Sequence, residues 1–241
     1  MTSDSELPRP QLSVKNLLCT SALSTEDIHT LFQTAKDLKS GRDQHTAVLR
    51  QKRLAMIFEK DSLRTRFTFD IGMQDLGGSV VFMDHRDARL GSRESVKDMA
   101  RNLERWVDCI VARTFKHKVL DELAANCDIP IINGLSDFVH PCQALADFMT
   151  MSEKWGDVRG RTITYVGDGN NVVNSLILLA AVLGLDGAAA PGLLRAEDVA
   201  ALLTCLPTDE EADALEAFDG GASTAKGPSL PGQSSPSPPP H

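Results

Sequence analysis

The chain has little that would tie it together covalently or hold it in a membrane. Its 241 residues include five cysteines: Cys19, Cys109, Cys127, Cys142 and Cys205. They are scattered, odd in number and never form a C-x-x-C pair. That argues against a disulfide framework or a zinc site and points to a reducing compartment. The longest strongly apolar run, around Leu176–Leu185, falls short of the roughly 20 residues a membrane span needs. Met1–Pro10 carries Asp4 and Glu6 and no apolar run, so it reads neither as a signal peptide nor as a good transit peptide. The cytoplasm is the expected location, with a mitochondrion or plastid open if the N-terminus is incomplete. Positive charge is in deficit too. A net charge of −8 disfavours nucleic acid as a partner, and an anionic ligand must be held by a local basic cluster. No internal repeat is present.

What is there is an ordinary globular composition, 42% hydrophobic and 24% charged. The length allows two small domains or one large one. Ser24 and Asp27 make a capping-box-like start, after which Ile28, Leu31, Phe32, Ala35 and Leu38 recur at helical spacing. Short apolar runs at Leu54–Phe58, Val80–Met83, Cys109–Ala112 and Ile129–Ile132 read as strands. Helical segments lie between them: Ser62–Leu76, stopped by Gly77-Gly78, then Val96–Val107 and Val119–Ala125. A further helix runs from about Pro141 to Trp155. Short, wholly apolar strands alternating with helices imply a parallel sheet covered on both faces. Ligands of such sheets bind at the carboxyl ends of the strands. Gly156–Arg161 reads as a linker. Thr162–Val166 and the apolar helix Val172–Leu183 then begin a second α/β unit. After Asp186 the composition turns to Ala, Gly, Pro and Ser, with helical stretches expected at Arg195–Leu206 and Asp209–Phe218 and disorder at Gly227–His241.

Four segments follow predicted strands. In Phe58–Arg66 a buried strand stops and a helix starts, with Ser62, Arg64, Thr65 and Arg66 at its first turn. Free N–H groups and the positive helix end point at that spot, and hydroxyls and guanidinium groups would complete a phosphate site. Alone, the segment reads equally as a capped helix with solvated arginines. Arg113 directly follows the third strand; alone it is a solvated arginine. Asn133–Gln143 ends in His140-Pro141-Cys142-Gln143, with Pro at a helix's first position. His140 and Gln143, three apart, share a face and can both donate to one small ligand; a capping histidine is the plainer reading. Gly167-Asp168-Gly169-Asn170-Asn171 superficially resembles a dinucleotide fingerprint. However, Val172 stands where the third glycine belongs and no convincing ribose-binding acid stands about 20 residues on.

Together, S-x-R-T-R and H-P-x-Q after separate strands resemble the aspartate/ornithine carbamoyltransferase superfamily. Phe58-Glu59-Lys60, Asn133-Gly134-Leu135-Ser136-Asp137 and Gly167–Asn171 resemble its ornithine branch. The likeness runs from about Gln11 to Asp186. It implies an α/β fold with a parallel-sheet carbamoyl-phosphate-binding domain at 11–155. An incomplete, Rossmann-like ornithine-binding domain would begin at 156–186, with a divergent, partly disordered tail at 187–241. It implies that Ser62, Leu63 (through its backbone N–H), Arg64 and Thr65 hold the phosphate of carbamoyl phosphate. Arg113, His140 and Gln143 would hold the carbamoyl end, with Arg113 and His140 catalytic, and Asn171 would contact L-ornithine. No cofactor or metal is implied. The loop Arg86–Ser92 is similar to one that reaches into a neighbour's site in the family's homotrimers.

The resemblance stops early. The family's S-M-G loop is absent, and Thr204-Cys205-Leu206-Pro207 lies only about 34 residues after Asn171, too close to stand for H-C-L-P. A truncated or divergent chain beyond Asp186 is therefore expected. Three readings remain: a transferase making citrulline and phosphate, a non-catalytic carbamoyl-phosphate-binding or subunit-pairing relic, and a carbamoyltransferase for a related amine.

Overall fold

The computed structural model describes residues 10–41, 45–84, 90–91, 94–165 and 168–189. The expected helices beyond Asp186, the Pro/Ser-rich end and the loop Arg86–Ser92 other than Leu90 and Gly91 lie outside the described residues.

Four parallel strands make the larger sheet: β1 (Arg53–Phe58), β2 (Ser79–Asp84), β3 (Cys109–Arg113) and β4 (Ile131–Leu135), in the order β2-β1-β3-β4. Alternate residues of the central strands face opposite ways, as a pleated strand requires. Ala55, Ile57, Ile110, Ala112 and Ile131 face α3 (Val96–Leu103) and α4 (His117–Asn126). Leu54, Met56, Phe58 and Val111 face the side taken by Phe69 and Met73 of α2 (Leu63–Asp75). Both faces of the central strands are thus apolar, the reason they read as unbroken hydrophobic runs. Gly77 closes the α2–β2 turn at φ +82°; a β-carbon there would run into the Thr46 carbonyl oxygen.

A second core joins α1 (Thr25–Ser40), α5 (Pro141–Trp155) and α6 (Asn171–Val182). Leu23, Ile28 and Phe32 meet Ala144 and Phe148, and both groups meet Leu179, Ala180 and Leu183. The capping box at Ser24 forms as expected: Asp27 N–H donates to Ser24 Oγ, and Ser24 N–H to the Asp27 carboxylate. The N-terminal segment also lines the outer edge of β4, with Leu17 N–H on Ile131 O at 2.9 Å and Asn133 N–H on Leu17 O at 2.8 Å.

Two expectations are corrected, and one is refined. The strand expected over Ile129–Ile132 is instead Ile131–Leu135; it continues past Ile132 with Asn133 fully buried and its amide donating to Leu18 O at 2.9 Å. The segment read as a linker, 156–161, carries no helix or strand, and it packs through Val158, which is buried in the second core. The second unit has a further strand, β6 (Asp186–Ala189), parallel to β5 (Thr162–Tyr165). Its Asp-Gly-Ala-Ala sequence has low strand propensity, so backbone pairing with β5 makes the strand. It crosses the point where the compositional change suggested a new segment. The architecture is α/β, with a parallel sheet and a second, smaller α/β unit.

Candidate functional site

Register aligns the carboxyl ends of three strands. Phe58 of β1 is opposite Arg113 of β3, and Arg113 is opposite Leu135 of β4 after a shift at Ala112/Arg113. The hydrogen bonds Glu59 N–H to Arg113 O (2.8 Å) and Thr114 N–H to Leu135 O (2.9 Å) continue that row. The loops bearing Ser62–Arg66, Arg113 and Ser136–His140 therefore emerge side by side.

Ser62 is the N-cap of α2. Its Oγ accepts the Thr65 N–H at 3.3 Å and donates to Thr65 Oγ1 at 2.8 Å. Leu63 is 72% exposed, so its side chain packs on little, and a role for it falls to the backbone N–H. Arg64 is exposed. Arg66 instead lies over the Phe82 ring at 3.8 Å, which ties it to β2. Gly134 brings the first and third loops together: a β-carbon there would lie 3.7 Å from Thr65 Cγ2 and 3.2 Å from Val111 Cγ1.

Arg113 and His140 are half-buried. Arg113 Nε and His140 Nδ1 are the buried side-chain nitrogens among the described residues that have no hydrogen-bond partner. Such groups are costly unless something else pairs with them. Burial, then the Arg113 charge, pushes the His140 imidazole down to about 4, against a weaker opposite pull from Asp147. The ring is therefore neutral near pH 7. Cys142, next to Pro141, has its thiol pushed up to about 12 by burial, which makes it an inert packing group.

Gln143 is exposed, and its Nε2 donates to Asp147 Oδ1 one turn on, at 2.9 Å. Asn171, the first residue of α6, donates its Nδ2 to Ser136 O at 2.7 Å. The structure thus gathers Ser62, Thr65, Arg113 and His140 at one sheet edge. Gln143 and Asn171 are engaged with neighbours of their own.

Sequence reasoning passed over the groups that support this edge. Fully buried Ser136 accepts the N–H groups of Phe138 and Val139, and its Oγ lies 2.9 Å from His117 Nδ1. Asn174 Nδ2 donates to Phe138 O at 2.8 Å. Ser175 Oγ receives the His140 N–H at 2.7 Å. The available signal was polarity out of place: Asn171, Asn174 and Ser175 are the polar residues of a helix otherwise made of Val, Leu, Ile and Ala. Among the described residues, no cluster of His, Cys, Asp or Glu could hold a metal ion, and no helix is long and apolar enough to cross a membrane. An apolar groove lined by Met151, Trp155, Ile163 and Leu185 shares no residue with this edge.

Residues 15–153 match the family model for the carbamoyl-P binding domain of aspartate/ornithine carbamoyltransferases. The chain is 46% identical over 173 residues to an ornithine carbamoyltransferase of Moritella profunda, covering 72% of this chain and 58% of that one. It is 48% identical over 172 residues to one of Bacillus subtilis, covering 71% and 53%. Among solved structures, ornithine carbamoyltransferase from Thermus thermophilus superposes with a TM-score of 0.71 at 40% identity, covering 78% of this chain and 67% of that one. The Pyrococcus furiosus enzyme does so with a TM-score of 0.74 at 40% identity, covering 85% and 65%. The chain spans a little over half the length of these curated relatives.

Proposed function

This chain belongs to the aspartate/ornithine carbamoyltransferase family, and from that membership we propose that it binds carbamoyl phosphate and transfers the carbamoyl group to the δ-amine of L-ornithine. The products are L-citrulline and phosphate. The observation that carries the reading is the pair of buried, unpartnered nitrogens on Arg113 and His140, beside a capped helix start that bears Arg64.

In this reading residues 11–155 form the carbamoyl-phosphate-binding domain, and 156–186 begin the ornithine-binding domain. The phosphate sits at the head of α2. It takes the N–H groups of the first turn, the Ser62 and Thr65 hydroxyls and the Arg64 guanidinium. The carbonyl oxygen faces Arg113 and His140, and Gln143 adds a donor once released from Asp147. The neutral δ-amine attacks the carbonyl carbon. As the C–N bond forms, charge gathers on the carbonyl oxygen, where a guanidinium and a neutral imidazole N–H stabilise it in a site poor in water. The C–O bond to phosphate then breaks, phosphate leaves with the bonding pair, and a phosphate oxygen takes up the proton that the attacking amine sheds. Neither a covalent intermediate nor a metal is needed, and positioning supplies much of the rate.

Asn171 can serve ornithine through its carboxamide oxygen, or through Nδ2 if the Ser136 bond is released. That commitment favours a second reading, a carbamoyl-phosphate-binding protein without turnover. Assembly as a homotrimer is part of the first reading. Its support is α2, which buries none of its residues fully and leaves Phe67 and Ile71 exposed at 55% and 46%.

Calorimetric titration with carbamoyl phosphate, run beside a citrulline assay with ornithine, tests both. Binding with turnover supports the transferase. Binding without product leaves the second reading. Absence of binding defeats both.

A further inference from the structure

His140 stands at the N-cap of α5, yet its side chain makes no capping hydrogen bond. An N-cap residue ordinarily spends its side chain on the free N–H groups of the first turn. Here Pro141 removes one of those donors, and the backbone is held from outside. The His140 N–H donates to Ser175 Oγ at 2.7 Å, and the Ser175 hydroxyl donates onward to Asn171 O at 3.1 Å. Ser175 is fully buried, and Thr20 Oγ1 reaches its carbonyl at 3.4 Å.

Two more side chains of α6 act on the same turn. Asn171 takes the carbonyl of Ser136 at 2.7 Å, and Asn174 that of Phe138 at 2.8 Å. Positions 171, 174 and 175 fall on one helix face. Together they grip residues 136, 138 and 140, every second residue of the segment that delivers His140. A helix that only packed against a core would not carry them, because polar groups in an apolar setting cost free energy unless paired. Their neighbours Leu178, Leu179 and Ala180 are buried in that core.

We propose that Ser175 is a positioning residue for His140: by taking the His140 backbone N–H it fixes the head of α5 and leaves the imidazole free to face the ligand. The unit formed by β5, α6 and β6 thereby sets the geometry of a site formed on the other sheet. The choice of ligand rests on the carbamoyl phosphate reading above.

The test uses the full chain. Ser175→Ala removes the acceptor without adding volume. The variant and the unaltered protein are titrated separately with carbamoyl phosphate and with inorganic phosphate, while the His140 ring is followed by NMR. Affinity for carbamoyl phosphate is expected to fall up to about tenfold, the factor one neutral hydrogen bond carries. Affinity for inorganic phosphate, which answers to the Ser62–Thr65 turn, stays unchanged, and the His140 ring signals move. Ser175→Thr keeps the hydroxyl and restores both readouts. An equal loss for the two ligands, or an unmoved His140 signal, overturns the proposal. If Ser175→Ala does not fold, amide exchange in the unaltered protein decides: a protected His140 N–H supports the proposal, and exchange at the rate of a free peptide overturns it. If the unaltered chain binds neither ligand, the substrate reading is what fails, and the His140 signal still decides the role of Ser175.

Discussion

The guanidinium of Arg113 and the imidazole of His140 each bury a nitrogen without a partner, and the charge of the first opposes protonation of the second. Burial is the larger influence on His140, with Arg113 second. Both favour a neutral ring, which can still donate one N–H.

His140 should therefore titrate near 4 in the folded protein, against about 6.5 in the unfolded chain. Between those values the unfolded chain takes up a proton that the folded protein does not, so this group lowers stability as pH falls through the window. NMR titration of the ring checks it. Arg113→Met should raise the midpoint while leaving it below the ordinary value. A midpoint near 6.5 in the unaltered protein would contradict the burial described for this ring.

Arg64 is exposed at the head of α2, so Arg64→Ala should leave the fold intact. Loss of a charge-assisted contact to phosphate should weaken carbamoyl phosphate and inorganic phosphate alike, by about tenfold or more. Circular dichroism and calorimetry measure the two effects. Unchanged affinity for both ligands would remove Arg64 from the site.

Asn171→Ala leaves the Ser136 carbonyl without its donor. Urea unfolding should show a loss of about 1 kcal/mol. If Asn171 also serves ornithine, citrulline formation at saturating carbamoyl phosphate should fall well beyond what that loss explains.

Asp27 accepts hydrogen bonds from the amide and hydroxyl of Ser13 and from those of Ser24. The Ser13 bonds, then those of Ser24, hold its carboxyl well below the usual carboxylate range. Asp27→Ala should cost about 1–2 kcal/mol at neutral pH, the scale of a lost helix cap. The ionised carboxylate stabilises the fold above its unfolded pKa of about 4. That contribution is lost as pH falls through the lower folded value, so the unfolding midpoints of the two proteins should converge in acid.

The exposed Phe67 and Ile71 test assembly. Phe67→Glu with Ile71→Glu should leave the secondary structure unchanged and shift a trimer toward monomer in sedimentation. A trimer unaffected by both would place its interface elsewhere.

The local parts of the candidate site were legible. Ser62 caps the helix it precedes, and Pro141 starts the next one, as their positions in the chain require. What could not be read were partners set by packing. The three-residue spacing of His140 and Gln143 suggested two donors for one ligand. The Asp147 that engages Gln143 stands four residues on, a pairing the helical spacing also allowed, whereas the carbonyls met by Asn171 and Asn174 belong to a distant segment. Strand β6 was hidden because Asp186–Ala189 has no strand signal until β5 lies beside it.

By itself the sequence determined the alternation of apolar strands and helices, and with it a parallel sheet whose loops carry the polar motifs. Periodicity and capping act within a few residues and need no distant partner. Only the tertiary structure decided that the row Phe58–Arg113–Leu135 aligns those loops, and that Asn171, Asn174 and Ser175 grip the segment ending at His140. Strand order and the docking of α6 bring together residues some 35 positions apart, and no local pattern encodes which backbone group a buried polar side chain will meet.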